Sequence, residues 1–112
     1  MGQGDQVFAV TLKIASGRTQ IPPPMVGAYV TAYLTANGPK AAVEGAFNNL
    51  RDMGYAIGDV DSKVSGIPVT QWNAFIAERW PQFRDQFPDQ ANLLSAIAEG
   101  GAVLSPFAGF ER

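Results

Sequence analysis

The chain has no cysteine and no histidine among its 112 residues. Without cysteine it has no disulfides, no thiolate metal ligands and no thiol nucleophile, and redox compartment leaves no mark on it. Without histidine it lacks the side chain that titrates near neutrality and the commonest metal ligand. Histidine- or cysteine-based zinc sites, and Ser-His-Asp or Cys-His catalysis, are therefore excluded. Any catalysis would fall to carboxylates, Tyr, Lys or Arg with retuned pKa values, which disfavours an enzyme. No cofactor and no metal are expected.

Charge is also scarce. Asp, Glu, Lys and Arg make up 16% of the residues, with a formal net charge of −2 and a pI of 4.9. Phosphate binding needs local positive charge, so a nucleic-acid partner is not expected. Gly100-Gly101 lies in neither a G-x-x-x-x-G-K-[ST] nor a G-x-G-x-x-G context, so no phosphate loop is present. EF-hand spacing is absent, and Asp59-x-Asp61 is too short to indicate calcium.

Long apolar runs are missing too. The longest spans about twelve residues, 25–36, against the ~20 of a membrane helix, and Thr and Tyr interrupt it. The opening Met-Gly-Gln-Gly-Asp lacks the basic and apolar regions of a signal peptide. No membrane contact is expected, and a cytoplasmic location is the default expectation. What is present is 46% hydrophobic residues, enough for a core. The length suits a single domain over 1–112.

Two segments alternate with period two. Residues 7–14 place Phe8, Val10, Leu12 and Ile14 on one side and Val7, Ala9, Thr11 and Lys13 on the other. Residues 25–36 place Val26, Ala28, Val30, Ala32, Leu34 and Ala36 against Met25, Gly27, Tyr29, Thr31, Tyr33 and Thr35. Both read as strands of a sheet buried on one side. The segment 16–24 between them, with Pro22, Pro23 and Pro24, reads as a long, partly stiff connection that acts as a spacer.

Pro39 suits the first turn of a helix over 39–53, whose stripe is Val43, Ala46, Phe47, Leu50 and Met53 and which Gly54 ends. A third strand is expected over 55–65, with Gly58 as a bulge and Asp59, Asp61 and Lys63 on its polar side. Trp72, Phe75, Ile76 and Trp80 are spaced for a helix over 70–80 that Thr70 caps. A third helix is expected over 89–99. A fourth strand, at the sheet edge and broken by Pro106, is expected over 102–104 and 106–110.

The order β-β-α-β-α-α-β predicts an α+β two-layer sandwich. Its three- or four-stranded, mainly antiparallel sheet contains a split β-α-β unit, and all helices lie on one face. The Tyr/Thr face is then left for water, a ligand, the C-terminal tail or another protein. Candidate binding residues on it are Lys13, Tyr29, Thr31, Tyr33, Asp59 and Asp61, with Arg79 and Arg84 from the aromatic connector after the second helix. Asp59 and Asp61 have the spacing for paired-carboxylate chemistry, but Lys63 and Lys13 nearby make charge compensation the simpler reading. Trp80 continues the stripe of Trp72 and Ile76, so core anchoring is the simpler reading there.

Tyr combines apolar area with a polar tip, which suits protein interfaces. The expectation is a non-enzymatic interaction module of the adaptor, inhibitor or immunity kind, homodimeric through the Tyr/Thr face, which can also dock a basic protein partner. The alternative is a small-molecule binding protein or acid/base enzyme with its site on that face.

Overall fold

The computed structural model describes residues 6–60 and 63–111. Two ten-residue strands, β1 (Gln6–Ala15) and β2 (Met25–Leu34), form its centre. They pair antiparallel, with Phe8 opposite Leu34, Thr11 opposite Thr31 and Lys13 opposite Tyr29. Alternation therefore puts Val10, Leu12, Ile14, Val30 and Leu34 on one flank. Val7, Ala9, Thr11, Lys13, Tyr29, Thr31 and Tyr33 occupy the other.

The first flank is covered by α1 (Pro39–Asp52), which has proline in its first turn and buries Ala42, Ala46 and Leu50. The helix lies so close that a Cβ added at Gly45 would sit 2.7 Å from Leu34 Cδ1. Beyond its end Gly54 adopts φ +99°, a conformation side chains resist. The 16–24 connection is docked there rather than acting as a spacer. Arg18 Nη2 donates to Asp52 O at 3.2 Å, Thr19 N to Gly54 O at 3.0 Å, and the Thr19 hydroxyl to Met53 O. Ile21 of the same segment is buried.

The expected third strand is two strands. β3 (Ala56–Val60) pairs with the Leu12–Ala15 half of β1 and β4 (Ser65–Pro68) with its Gln6–Ala9 half, both antiparallel. Lys13 opposes Asp59 while Ile14 opposes Ile57, so Gly58 is the extra residue of a bulge. The chain continues through a 3-10 turn at Val69–Gln71, α2 (Trp72–Arg79) and a second 3-10 turn at Pro81–Gln86. Thr70 lies inside the first turn, and no side chain caps α2.

Next come α3 (Leu93–Gly100), β5 (Val103–Leu104) and β6 (Ala108–Glu111). α3 ends at Gly101 with φ +82°, and Asn49 Nδ2 of α1 donates to Gly100 O at 2.9 Å. Both β5 and β6 pair antiparallel with β2. The result is an α+β fold with a six-stranded open sheet in the order β3-β1-β2-β5, β4 joining β1 and β6 joining β2.

The expectation that all helices cover one flank is overturned. Tyr33 neighbours Leu34 on β2 and so faces away from α1, yet Trp72 and Phe75 of α2 pack their rings against it at centroid distances of 5.2 and 5.8 Å. The chain thus covers both flanks, the second only at one end. The reason is that this flank changes character along the strands. Val7, Ala9 and Tyr33 at one end are mostly apolar surface, whereas Thr11, Thr31 and Lys13 at the other tolerate water. A Trp-bearing helix shields the first end because burying a large ring contributes on the order of 2–3 kcal/mol. Among the described residues no helix is long and apolar enough to cross a membrane.

Candidate functional site

The candidate residues divide between a covered end and an open end of the second flank. At the covered end Tyr33 is 1% exposed. Trp72, Phe75 and Phe87 surround its ring edge-on at 5.2, 5.8 and 6.1 Å, a favourable arrangement of ring edges and faces. The Trp80 indole Nε1 donates to its hydroxyl at 2.9 Å. Burial pushes the Tyr33 phenol above its ordinary pKa, while the Trp80 hydrogen bond and the Arg79 charge oppose that rise. Trp72 is itself buried and donates from Nε1 to Pro88 O at 2.8 Å.

This cluster holds α2 and the turn after it onto the sheet. Tyr33 is therefore a packing residue and is withdrawn from the contact surface. Arg79 lies with its guanidinium 5.3 Å from the Trp80 ring centroid, at the edge of the same cluster. Arg84 lines a separate recess of about 300 Å³ with Asn73, Asp85 and Asp89.

The open end is built differently. Lys13, Tyr29 and Asp59 form one row across β3, β1 and β2, with Lys13 opposite both others. All three are exposed, Tyr29 by 48%. Phe110 of β6 joins them. It stands opposite Gly27, where a Cβ would come within 2.5 Å of Phe110 Cζ, so its ring occupies the space a side chain would take. Tyr29 and Phe110 have centroids 5.3 Å apart, and Lys13 Nζ lies 5.1 Å from the Phe110 centroid, close enough for cation–π attraction. Asp59 Oδ1 accepts from Val60 N at 2.9 Å. Asp61 lies outside the described residues.

Thr31 sits between the two ends. Its hydroxyl is 3.0 Å from that of Thr11. Its N–H donates to Ser105 Oγ at 2.9 Å, and its carbonyl accepts from Ser105 N at 2.9 Å. Those bonds hold the β5–β6 junction and leave Thr31 half-buried. The C-terminal tail therefore extends the sheet edge and contributes one ring to the open end, leaving Tyr29 half exposed.

Sequence reasoning missed Phe110 and Ser105 because the register of β6 on β2 is set by distant pairing. The local signal for Phe110 was the side-chain gap at Gly27. Among the described residues no group of three or more His, Cys, Asp or Glu side chains could hold a metal ion. What the open end offers chemically is two adjacent aromatic rings with Lys13 beside them and Asp59 on the far side of Lys13, carried by the doubly paired strands β1 and β2 and their edge neighbours β3 and β6. Comparison with family models, with curated proteins and with solved structures gives no match to this chain.

Proposed function

We propose that this chain, a split β-α-β frame, is a non-enzymatic protein-interaction module that pairs with a second copy of itself through the open end of the sheet. The observation that carries the reading is Tyr29. An aromatic ring on a central strand, with Phe110 beside it, remains half exposed. Exposed aromatic area flanked by polar groups is typical of the well-packed centre of interfaces. The charges support a symmetric partner. In a two-fold contact residue i of one copy meets residue j of the other and the reverse, so adjacent Lys13 and Asp59 are self-complementary. Such a dimer would present two identical copies of every remaining surface, which suits an adaptor.

The test is light scattering after size exclusion, with single and mixed charge variants. The native chain should elute as a dimer at about 100 µM, a concentration well above a micromolar dissociation constant. Lys13→Glu and Asp59→Lys should each weaken it by placing like charges across the two-fold axis. An equimolar mixture of the two variants should recover a dimer, since each then meets its opposite. A strict monomer for the native chain, or a mixture no better than either variant alone, refutes the reading.

A further inference from the structure

A cleft of about 430 Å³ lies along β4. It is bounded by all four residues of that strand, Ser65 to Pro68, and by Gln71, Ala74, Phe75 and Glu78. Successive side chains of a strand point to opposite flanks, so a cleft touching four in a row runs along the strand's edge rather than over one flank. That edge is open among the described residues, since β4 pairs with β1 alone. The far wall is Gln71 at the end of the 3-10 turn and one face of α2, where 74, 75 and 78 are spaced i, i+1, i+4. Ile67 and half-buried Phe75 make the floor apolar, and the space a side chain at Gly66 would take is filled by the Gln6 amide. Glu78 is exposed on the wall, while the neighbouring Arg79 is turned onto the Trp80 ring. The cleft therefore presents a carboxylate to an occupant.

We propose that this cleft binds an extended peptide that adds to β4 as an extra strand, setting an apolar side chain against Phe75 and a Lys or Arg side chain against Glu78. Unpaired strand-edge amides and carbonyls supply main-chain bonds, and the pocket behind them supplies the choice of side chain, as in other edge-binding peptide sites. Pro68 has no N–H to offer, so the added ladder ends there. The contact is short and its affinity modest, between about 10 µM and 1 mM. This surface is separate from the Lys13–Tyr29 end and does not depend on self-association.

The experiment titrates isotope-labelled full chain with two peptide pools, followed by amide chemical shifts. Both pools carry Val, Ile or Phe at alternate positions. One has Lys or Arg between them, the other Asp or Glu. The basic pool is expected to shift the amides of Ser65, Gly66, Ile67, Ala74, Phe75 and Glu78. The exposed substitution Glu78→Lys should weaken that binding about tenfold, the loss of one charge-assisted contact. N-methylation of the peptides, which removes the ladder donors, should abolish it. The proposal is overturned by no shift at these amides up to about 1 mM peptide, by equal response to the acidic pool, or by undiminished binding of the N-methylated peptides.

Discussion

Tyr33 and Tyr29 lie four residues apart on one flank of one strand, and truncating each should have very different consequences. Tyr33 is 1% exposed and touches Trp72, Phe75 and Phe87, whereas Tyr29 is 48% exposed. Tyr33→Ala removes a buried ring and leaves a cavity, a change that costs about 3–5 kcal/mol for aromatic residues. It also strips the Trp80 indole of its acceptor. Tyr33→Phe keeps the ring and isolates that second effect, so it should cost about 1 kcal/mol. Tyr29→Ala, at an exposed site, should stay within about 0.5 kcal/mol.

The assay is urea unfolding followed by tryptophan fluorescence and far-ultraviolet dichroism, at a dilution where any dimer has dissociated, because association would add its own stability. A thermal scan of the same variants gives a second readout: at about 4 °C per kcal/mol for a chain of this size, Tyr33→Ala should lower the melting midpoint by about 12–20 °C. A double-mutant cycle of Tyr33→Phe with Trp80→Phe should return a coupling near 1 kcal/mol. If Tyr33→Ala costs less than about 1 kcal/mol, or no more than Tyr29→Ala, the covered end is not covered and the division of the flank into two ends fails.

Alkaline pH should reveal the same phenol. Its folded pKa lies above the ordinary value of 10.0, so the folded state holds the proton more tightly. The associated stability is complete below about pH 10 and is lost as pH rises through the folded value. Tyr33→Phe should flatten that part of the stability–pH curve, and an unchanged curve would contradict the assignment. Gly27→Val should cost about 1–3 kcal/mol in chemical unfolding, because the new Cβ meets Phe110 Cζ at 2.5 Å and Ile14 O at 2.8 Å. It should also weaken self-association by displacing the ring beside Tyr29; a neutral effect on both measurements would contradict the Phe110 placement. Gly54→Ala should cost about 1–2 kcal/mol, since φ there is +99° and a Cβ would meet Thr19. A melting midpoint equal to the native one would show that the docked loop imposes no such constraint.

Much of the frame was legible from local pattern. Period-two alternation over 7–14 and 25–36 located β1 and β2. Pro39 and Gly54 bracketed α1, and Gly58 marked the bulge that keeps Asp59 level with Lys13. The misreading of the second flank came from treating a strand face as uniform. Val7 and Ala9 share a side with Lys13, and their apolar character was the available sign that something covers that end. The composition of 72–80 carried the matching sign, because Trp72, Phe75 and Ile76 offer more apolar surface than one narrow helical stripe. The interruption of the third strand and the docking of Thr19 on the end of α1 depend on contacts between segments far apart in the chain. So does the seat of Phe110 over Gly27, and no local periodicity encodes any of them.

β1 has one neighbour along its first edge and two, end to end, along its second. A growing polypeptide meets these demands at different times. The hairpin partner arrives within about twenty residues, but the strands for the other edge follow only after a whole helix has been made. Through that interval an apolar ribbon presents bare amides and carbonyls to its surroundings, the condition under which nascent chains stick to one another. Slow translation across α1 would prolong that interval, whereas fast delivery of residues 56–68 would shorten it.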